Sequence, residues 1–384
     1  MSRVAISGRV LRWAMERARC DLADLRKRVP KLPDWLNGKS RPTLRQLEDF
    51  ARATSTPLGY LFLAEPPEER LPIPHFRTLR DTHPERPSPD LLETVQAMQR
   101  RQEWLREYLI EEGQQPLPFV SSAGPADEPI GVAGEIRRVL GLREGWAAGH
   151  PTWTEALAEL REKMEAAWIL VAVNGIVGNN THRKLDPEEF RGFVLVDQYA
   201  PLVFVNGADA KAAQMFTLAH ELSHLWLGSS AAFDLRELQP ADDETERACN
   251  RIAAEFLVPE RELRECWRAV DQESEKFQAI ARRFKVSELV AARRAQDLGL
   301  ISRLQFNDFY QRYLQDERRK ASKRSSGGDF YATQNLRLGR RFAGAVFRAA
   351  REGRLFYREA YQLTGLSGKA FDRYAESVSL GGAK

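Results

Sequence analysis

Over most of the chain, apolar residues recur every three or four positions, the spacing of a helix that buries one face. In "SGRVLRWAMERAR", Val10, Leu11, Ala14 and Ala18 share such a face. "DLADLRKRV" opens on Asp21, a helix N-cap, and Pro30 and Pro33 then limit helix length. "WLNGKSRPTLRQLEDFARAT" turns at Asn37-Gly38 and then predicts a helix with Leu44, Leu47 and Phe50 inward. "PLGYLFL" is a last short apolar element of this region. A long helix is expected from Leu91 to about Glu112, and "PIGVAGEIRRVLGL" and "TWTEALAELREKMEAA" read as two amphipathic helices. Then the period changes. "WILVAVNGIVG", "FRGFVLVDQ" and "APLVFVNG" are short β-branched runs broken by turn residues, and predict three strands. The next element is a helix from about Lys211 to Leu227, stopped by Gly228. "DDETERACNRIAAEFLVP" predicts another, stopped near Pro259. Residues 260–318 are expected to be helical, as is a small basic region at 330–378.

This pattern predicts an α+β, mostly helical protein. The expected organisation is a helical bundle at 1–64, a Pro-rich linker at 65–90 and a helical region at 91–164. A mixed domain with further helices at its end is expected at 165–318, a basic Gly/Ser linker at 319–329 and a basic helical tail at 330–384. Charge divides along the same lines. Residues 1–64 carry a balance of +7 and 301–384 of +9, around a centre of −12. Basic ends of this kind suit nucleic acid or an acidic partner. The start of the chain lacks the apolar core of a signal peptide, and no apolar run is long enough to span a bilayer. Cys20, Cys249 and Cys266 are odd in number and form no C-x-x-C pair, which fits reduced thiols. A cytoplasmic protein with no membrane partner is therefore expected.

The chain has six histidines, and two of them stand four residues apart in "TLAHELSHLWLG". In a helix, residues i and i+4 share one face, so His220 and His224 can direct two imidazoles at one point. Glu221 sits about 100° round the helix from His220, beside that point. Such a pattern suits a metal held by the two histidines, with the carboxylate serving as general base for an attacking water. A zinc site needs a third protein ligand. The next helix and its lead offer Glu246, Glu255, Glu244, Asp242 and Asp243. Glu246, 22 residues past His224, is preferred. Asn250 lies one turn on from Glu246 and is placed to orient a ligating histidine. Tyr199 and His182 are the candidates for stabilising an oxyanion.

"VFVNGADAKAAQMFTLAHELSHLWLG" and then "ERACNRIAAEFLVP" resemble the ImmA/IrrE family of metallopeptidases. The resemblance covers roughly residues 165–300. It implies a gluzincin-like core in which zinc is bound by His220, His224 and Glu246, with Glu221 as general base. The family's E-x-x-A-N/D-x-F-A-x-x-L-L-x-P run corresponds here to Glu246, Cys249, Asn250, Ile252, Ala253, Phe256, Leu257 and Pro259. Cys249 and Ile252 depart from it at packing positions. In such folds an edge strand can pair with an extended substrate, and "PLVFVN" at 201–206 is the candidate strand.

Residues 7–64 resemble the helix-turn-helix module of Xre/Cro-type proteins, through "VLRWAMERAR" and the stretch from Trp35 to Leu47. Pro30 and Pro33 fall where the recognition helix of that module belongs. A stub there reads bases poorly, whereas Lys31, Lys39 and Arg41 can still touch phosphates. "IARRFKVSELVAARRAQDLGLI" and "REAYQLTGLSGKAFDRYAE" have a similar helix-turn-helix outline. Two functions are expected from these features. One is a zinc endopeptidase that cuts a regulatory protein, which the resemblance makes a DNA-binding repressor, with the basic ends reaching DNA. The other is a DNA-binding regulator, or an antitoxin-like partner of a toxin, whose metal site is structural.

Overall fold

The computed structural model describes residues 3–69, 87–229, 231–233, 244–271, 273, 275–315 and 330–381. Most of the Pro-rich linker expected at 65–90 and all of the basic linker expected at 319–329 lie outside the described residues, as do Asp242 and Asp243. The described residues fall into two compact units, with the division inside one long helix at Gln96/Ala97.

The first unit contains α1 (Gly8–Arg17), α2 (Leu22–Arg28), α3 (Leu32–Leu36) and α4 (Leu44–Ala53), then a 3₁₀ turn at Leu58–Phe62. Asp21 caps α2 by accepting the Asp24 amide, and Thr43 with Gln46 forms a capping box at α4. Val10, Leu11, Trp13, Leu25, Leu32, Trp35, Leu47 and Phe50 form the core. Two inward assignments are corrected. Leu44 is 48% exposed: it is the first residue of α4, and the buried contacts of that helix are carried by Leu47, Phe50 and Ala51. Trp13 is buried in the α1 face, and Ala18 is that helix's half-buried C-cap.

The long helix α5 (Pro89–Glu111) leads into the second unit. There α6 (Pro129–Leu140) and α7 (Trp153–Ala166) precede the strands β1 (Leu170–Asn174), β2 (Ile176–Val177), β3 (Asn180–Lys184), β4 (Gly192–Leu195) and β5 (Leu202–Asn206). Helix α8 (Lys211–Leu227) comes next, then β6 (Ala231–Phe233) and α9 (Glu244–Leu257). Four more helices complete this part: α10 (Glu260–Val270), α11 (Lys276–Phe284), α12 (Glu288–Asp297) and α13 (Arg303–Gln315). The C-terminal helices are α14 (Phe330–Leu338), α15 (Arg340–Arg351), α16 (Tyr357–Thr364) and α17 (Gly368–Gly381). The protein is thus mostly helical with a small sheet.

Four strands form one sheet in the order β1-β5-β4-β6, with β1 parallel to β5 and the other pairs antiparallel. This corrects the expectation for residues 201–206. β5 is hydrogen-bonded on both sides, so its backbone groups are taken, and the edges belong to β1 and β6. The run predicted as one strand at 168–178 divides at Gly175 into β1 and β2, and β2 pairs with β3 in a separate ribbon. β3, "NTHRK", has no apolar alternation because it is almost wholly exposed. On one face of the sheet, Val171, Val173, Val194, Val203 and Val205 pack with Leu218, Leu222 and Leu225 of α8. On the other, Phe193 stacks on Phe204, with ring centroids 4.9 Å apart.

Candidate metal centre

Helix α8 is positioned from both ends. At its start, Gln214 donates to the Asp209 carbonyl at 2.7 Å, and Asn206 holds the preceding turn by donating to the Phe190 carbonyl and accepting from the Ala208 amide. At its end, Gly228 adopts the left-handed conformation, φ 74°, that closes a helix C-terminus without a Cβ penalty. All residues from Gln214 to Trp226 are buried, so the helix is the centre of the unit rather than an amphipathic cover.

Within it, the rings of His220 and His224 lie 4.8 Å apart, and their Nε2 atoms approach to 3.1 Å. Helix α9 packs alongside and brings Glu246 to both. Its Oε2 is 3.1 Å from Nε2 of His220, and its Oε1 is 3.2 Å from Nε2 of His224. Both histidines are fully buried and Glu246 is 7% exposed. One turn further along α9, Asn250 places Oδ1 3.1 Å from Nδ1 of His220. Among the described residues, His220, His224 and Glu246 are the group of ligand-type side chains that could hold a metal ion.

The protonation chemistry of this cluster asks for a cation. A neutral His220 carries one ring proton, and the Asn250 carbonyl oxygen claims it at Nδ1. Nε2 then presents a lone pair to a carboxylate and to a second imidazole. Buried acceptors facing one another are costly unless a positive centre lies between them. Burial lowers the pKa of His220, against the pull of Glu246. Burial acts to raise the pKa of Glu246, but the two imidazoles facing it, His220 and His224, outweigh burial and hold it well below the usual carboxylate range. A neutral imidazole and an ionised carboxylate are the forms that bind metal.

Glu221 is fully buried, and neither carboxylate oxygen has a hydrogen-bond partner among the described residues. Burial, with the charge of Glu246 adding to it, raises its pKa well above that of an ordinary glutamate. It lies against β4. A Cβ built on Gly192 would stand 3.4 Å from Oε1 of Glu221, 2.5 Å from Cγ2 of Thr217 and 2.8 Å from the Phe204 carbonyl oxygen. Gly192 therefore lets the strand come this close to the helix. Sequence reasoning missed it as a site residue, although a lone glycine inside a strand pattern, "FRGFVLV", marks such close approach.

The other candidates lie elsewhere. Glu255 forms a tight buried pair with Arg294, whose Nε also donates to the Val258 carbonyl. Arg137 donates to the carbonyls of Glu255 and Phe256, so these groups lock the end of α9. His182 is exposed on β3. Tyr199 lies in the β4–β5 connection with the Arg106 guanidinium over its ring. No described contact takes either residue to the triad. Lys31, Lys39 and Arg41 are exposed, and α3, at the recognition-helix position, has five residues.

Residues 178–296 match the family model described as the IrrE N-terminal-like domain, a peptidase family. The matched segment contains β4, β5, α8 and α9, and so all four residues of the cluster. It indicates a peptidase-type domain of the ImmA/IrrE kind, which suggests a metallopeptidase. Residues 338–377 match a domain of unknown function, DUF8813. Comparison with curated proteins and with solved structures gives no match. Among the described residues, no helix is long and apolar enough to cross a membrane.

Proposed function

We propose that this protein is a zinc-dependent endopeptidase of gluzincin type, acting in the cytoplasm on a regulatory protein, in the first instance a DNA-binding repressor. The observation that supports it is the buried convergence of His220, His224 and Glu246, beside a Glu221 that has no hydrogen-bond partner among the described residues. His220, His224 and Glu246 would hold the metal. When bound, zinc would polarise a peptide carbonyl and lower the pKa of water to ~7. Glu221 takes the proton from the attacking water and passes it to the leaving amine. Asn250 fixes the tautomer of His220 by accepting from Nδ1, which leaves Nε2 free to ligate.

In this reading the basic first unit brings the enzyme to DNA, where such a substrate is found. Lys31, Lys39 and Arg41 make phosphate contacts, and a five-residue α3, about 7.5 Å long, reads no base sequence. Replacing the three with Gln is expected to weaken duplex binding equally for unrelated sequences and to flatten its salt dependence by about 3 in slope. Binding that stays sequence-selective in the triple variant would remove this role.

The enzymatic reading is tested in two steps. Elemental analysis should find about one zinc per chain in the wild type and much less in Glu246→Ala. Candidate repressors should then be cut by the wild type and not by Glu221→Gln. Equal action of the two on a repressor would favour the other expectation, a regulator or antitoxin-like partner with a structural metal.

A further inference from the structure

Away from the metal centre, the second unit has a partly open pocket of about 490 Å³ between α5, the C-terminal helices and the start of β1. That volume lies in the range, about 300–1,000 Å³, of small-molecule sites. Its walls are mainly apolar, with Leu109, Tyr108, Phe342 and Trp168 contributing, and Arg341 and Arg348 also line it. Helices α8 and α9 provide no part of the lining.

Three features mark it as more than a packing gap. First, Trp168 adopts a left-handed backbone conformation, φ 65°, and is 38% exposed. A bulky residue held at positive φ and in solvent contact is strained, and such strain concentrates at ligand sites. The Arg341 guanidinium covers its ring, 4.2 Å from the centroid. Second, Tyr108 is 7% exposed, and its buried hydroxyl has no hydrogen-bond partner among the described residues. Third, the charge is unbalanced. Of the two lining carboxylates, Glu112 is paired with Arg354, and Glu165 accepts the Arg340 amide at 3.1 Å. Arg348 has no acidic partner among the described residues.

We propose that this pocket binds a small amphipathic acid, with an apolar or aromatic body against Tyr108, Phe342 and Trp168 and an acid group on Arg348. Such a ligand bridges the C-terminal helices and the core, a suitable place for a signal to act on the enzyme. The pocket has room for a blocking substitution. A Cβ on Gly344 would meet Cγ1 of Val378 at 3.9 Å, an ordinary contact, and glycine inside a helix is unfavourable to begin with. Gly344→Leu is therefore tolerated at its Cβ and directs the rest of its side chain toward the pocket.

The probe is 8-anilinonaphthalene-1-sulfonate, an aromatic monoanion, titrated into the full chain by fluorescence and calorimetry. One saturable site per chain is expected. Gly344→Leu and Arg348→Gln should each weaken it about tenfold or more with unchanged circular dichroism, and Ala345→Phe serves as a second filling variant. The neutral analogue N-phenyl-1-naphthylamine should bind about tenfold more weakly than the sulfonate. Competition by decanoate or by indole-3-acetate tells whether an aliphatic or an aromatic acid fits better. Absence of a saturable site, binding undiminished in the filling variants, or equal affinity for the neutral probe would overturn the proposal.

Discussion

Gly192→Ala adds a single methyl group at the point where β4 meets α8, and the structure says what that methyl would strike. It would stand 2.5 Å from Cγ2 of Thr217 and 2.8 Å from the Phe204 carbonyl oxygen, both well inside van der Waals contact. Neither neighbour yields easily. Thr217 is fully buried within α8, and Phe204 sits in a strand bonded on both sides. Overpacking of this kind costs about 1–3 kcal/mol. Removing a glycine from a strand returns about 0.5–1 kcal/mol of backbone entropy, so the net loss lies between about 0 and 2.5 kcal/mol, about 1 kcal/mol at mid-range. The strand and helix must separate, and Glu221 is the cluster residue facing Gly192. His220, His224 and Glu246 are tied to one another across α8 and α9. Metal content should therefore persist while proteolytic turnover falls. Denaturant unfolding of wild type, Gly192→Ala, Thr217→Ala and the double variant separates the causes. Thr217→Ala removes the closer clash, so the double variant should be more stable than the sum of the singles predicts. Single-variant effects that simply add in the double variant would refute the close-approach reasoning.

Other substitutions test the frame around the site. Arg294→Met strips Glu255, 3% exposed, of its ion-pair partner and should cost about 3–5 kcal/mol, whereas Glu255→Met with Arg294→Met should recover most of it. Burial holds the folded pKa of Glu255 above its unfolded value, so its ionisation destabilises the fold as pH rises past about 4.5. With Arg294 gone, the deficit measured by denaturation should shrink as pH falls from 7 toward 5. In the first unit, Leu44→Ala should cost well under 1 kcal/mol because the side chain is half in water, and Phe50→Ala, fully buried, about 3–5 kcal/mol. Chelating the metal should lower stability by about 4 kcal/mol when the free metal had stood at about a thousand times its dissociation constant. Calorimetric scans with and without chelator check this, and Glu246→Ala should show no such difference.

Sequence periodicity reaches as far as a residue's own element and fails where a tertiary neighbour decides. The bounds expected for α8, Lys211 to Leu227, coincide with those observed, because both the apolar run and the Gly228 stop are local signals. The spacing of His220, Glu221 and His224 is local too, since one helix turn sets it. The meeting of Glu246 with them is not: α9 lies beyond β6, and only a family motif or a folded chain brings it to α8. β5 shows the opposite failure. Its five buried residues read as a strand, but nothing in "LVFVN" tells an edge from a centre, because strand order is fixed by β1 and β4. β3 escaped because an exposed ribbon strand has no apolar face to announce it. Gly192 combines both limits. The break it makes in "FRGFVLV" is visible locally, yet its meaning depends on Thr217 and Glu221 arriving from a helix some 25 residues downstream. A side chain that acts by being absent is read from its neighbours, and here those neighbours include the proposed general base.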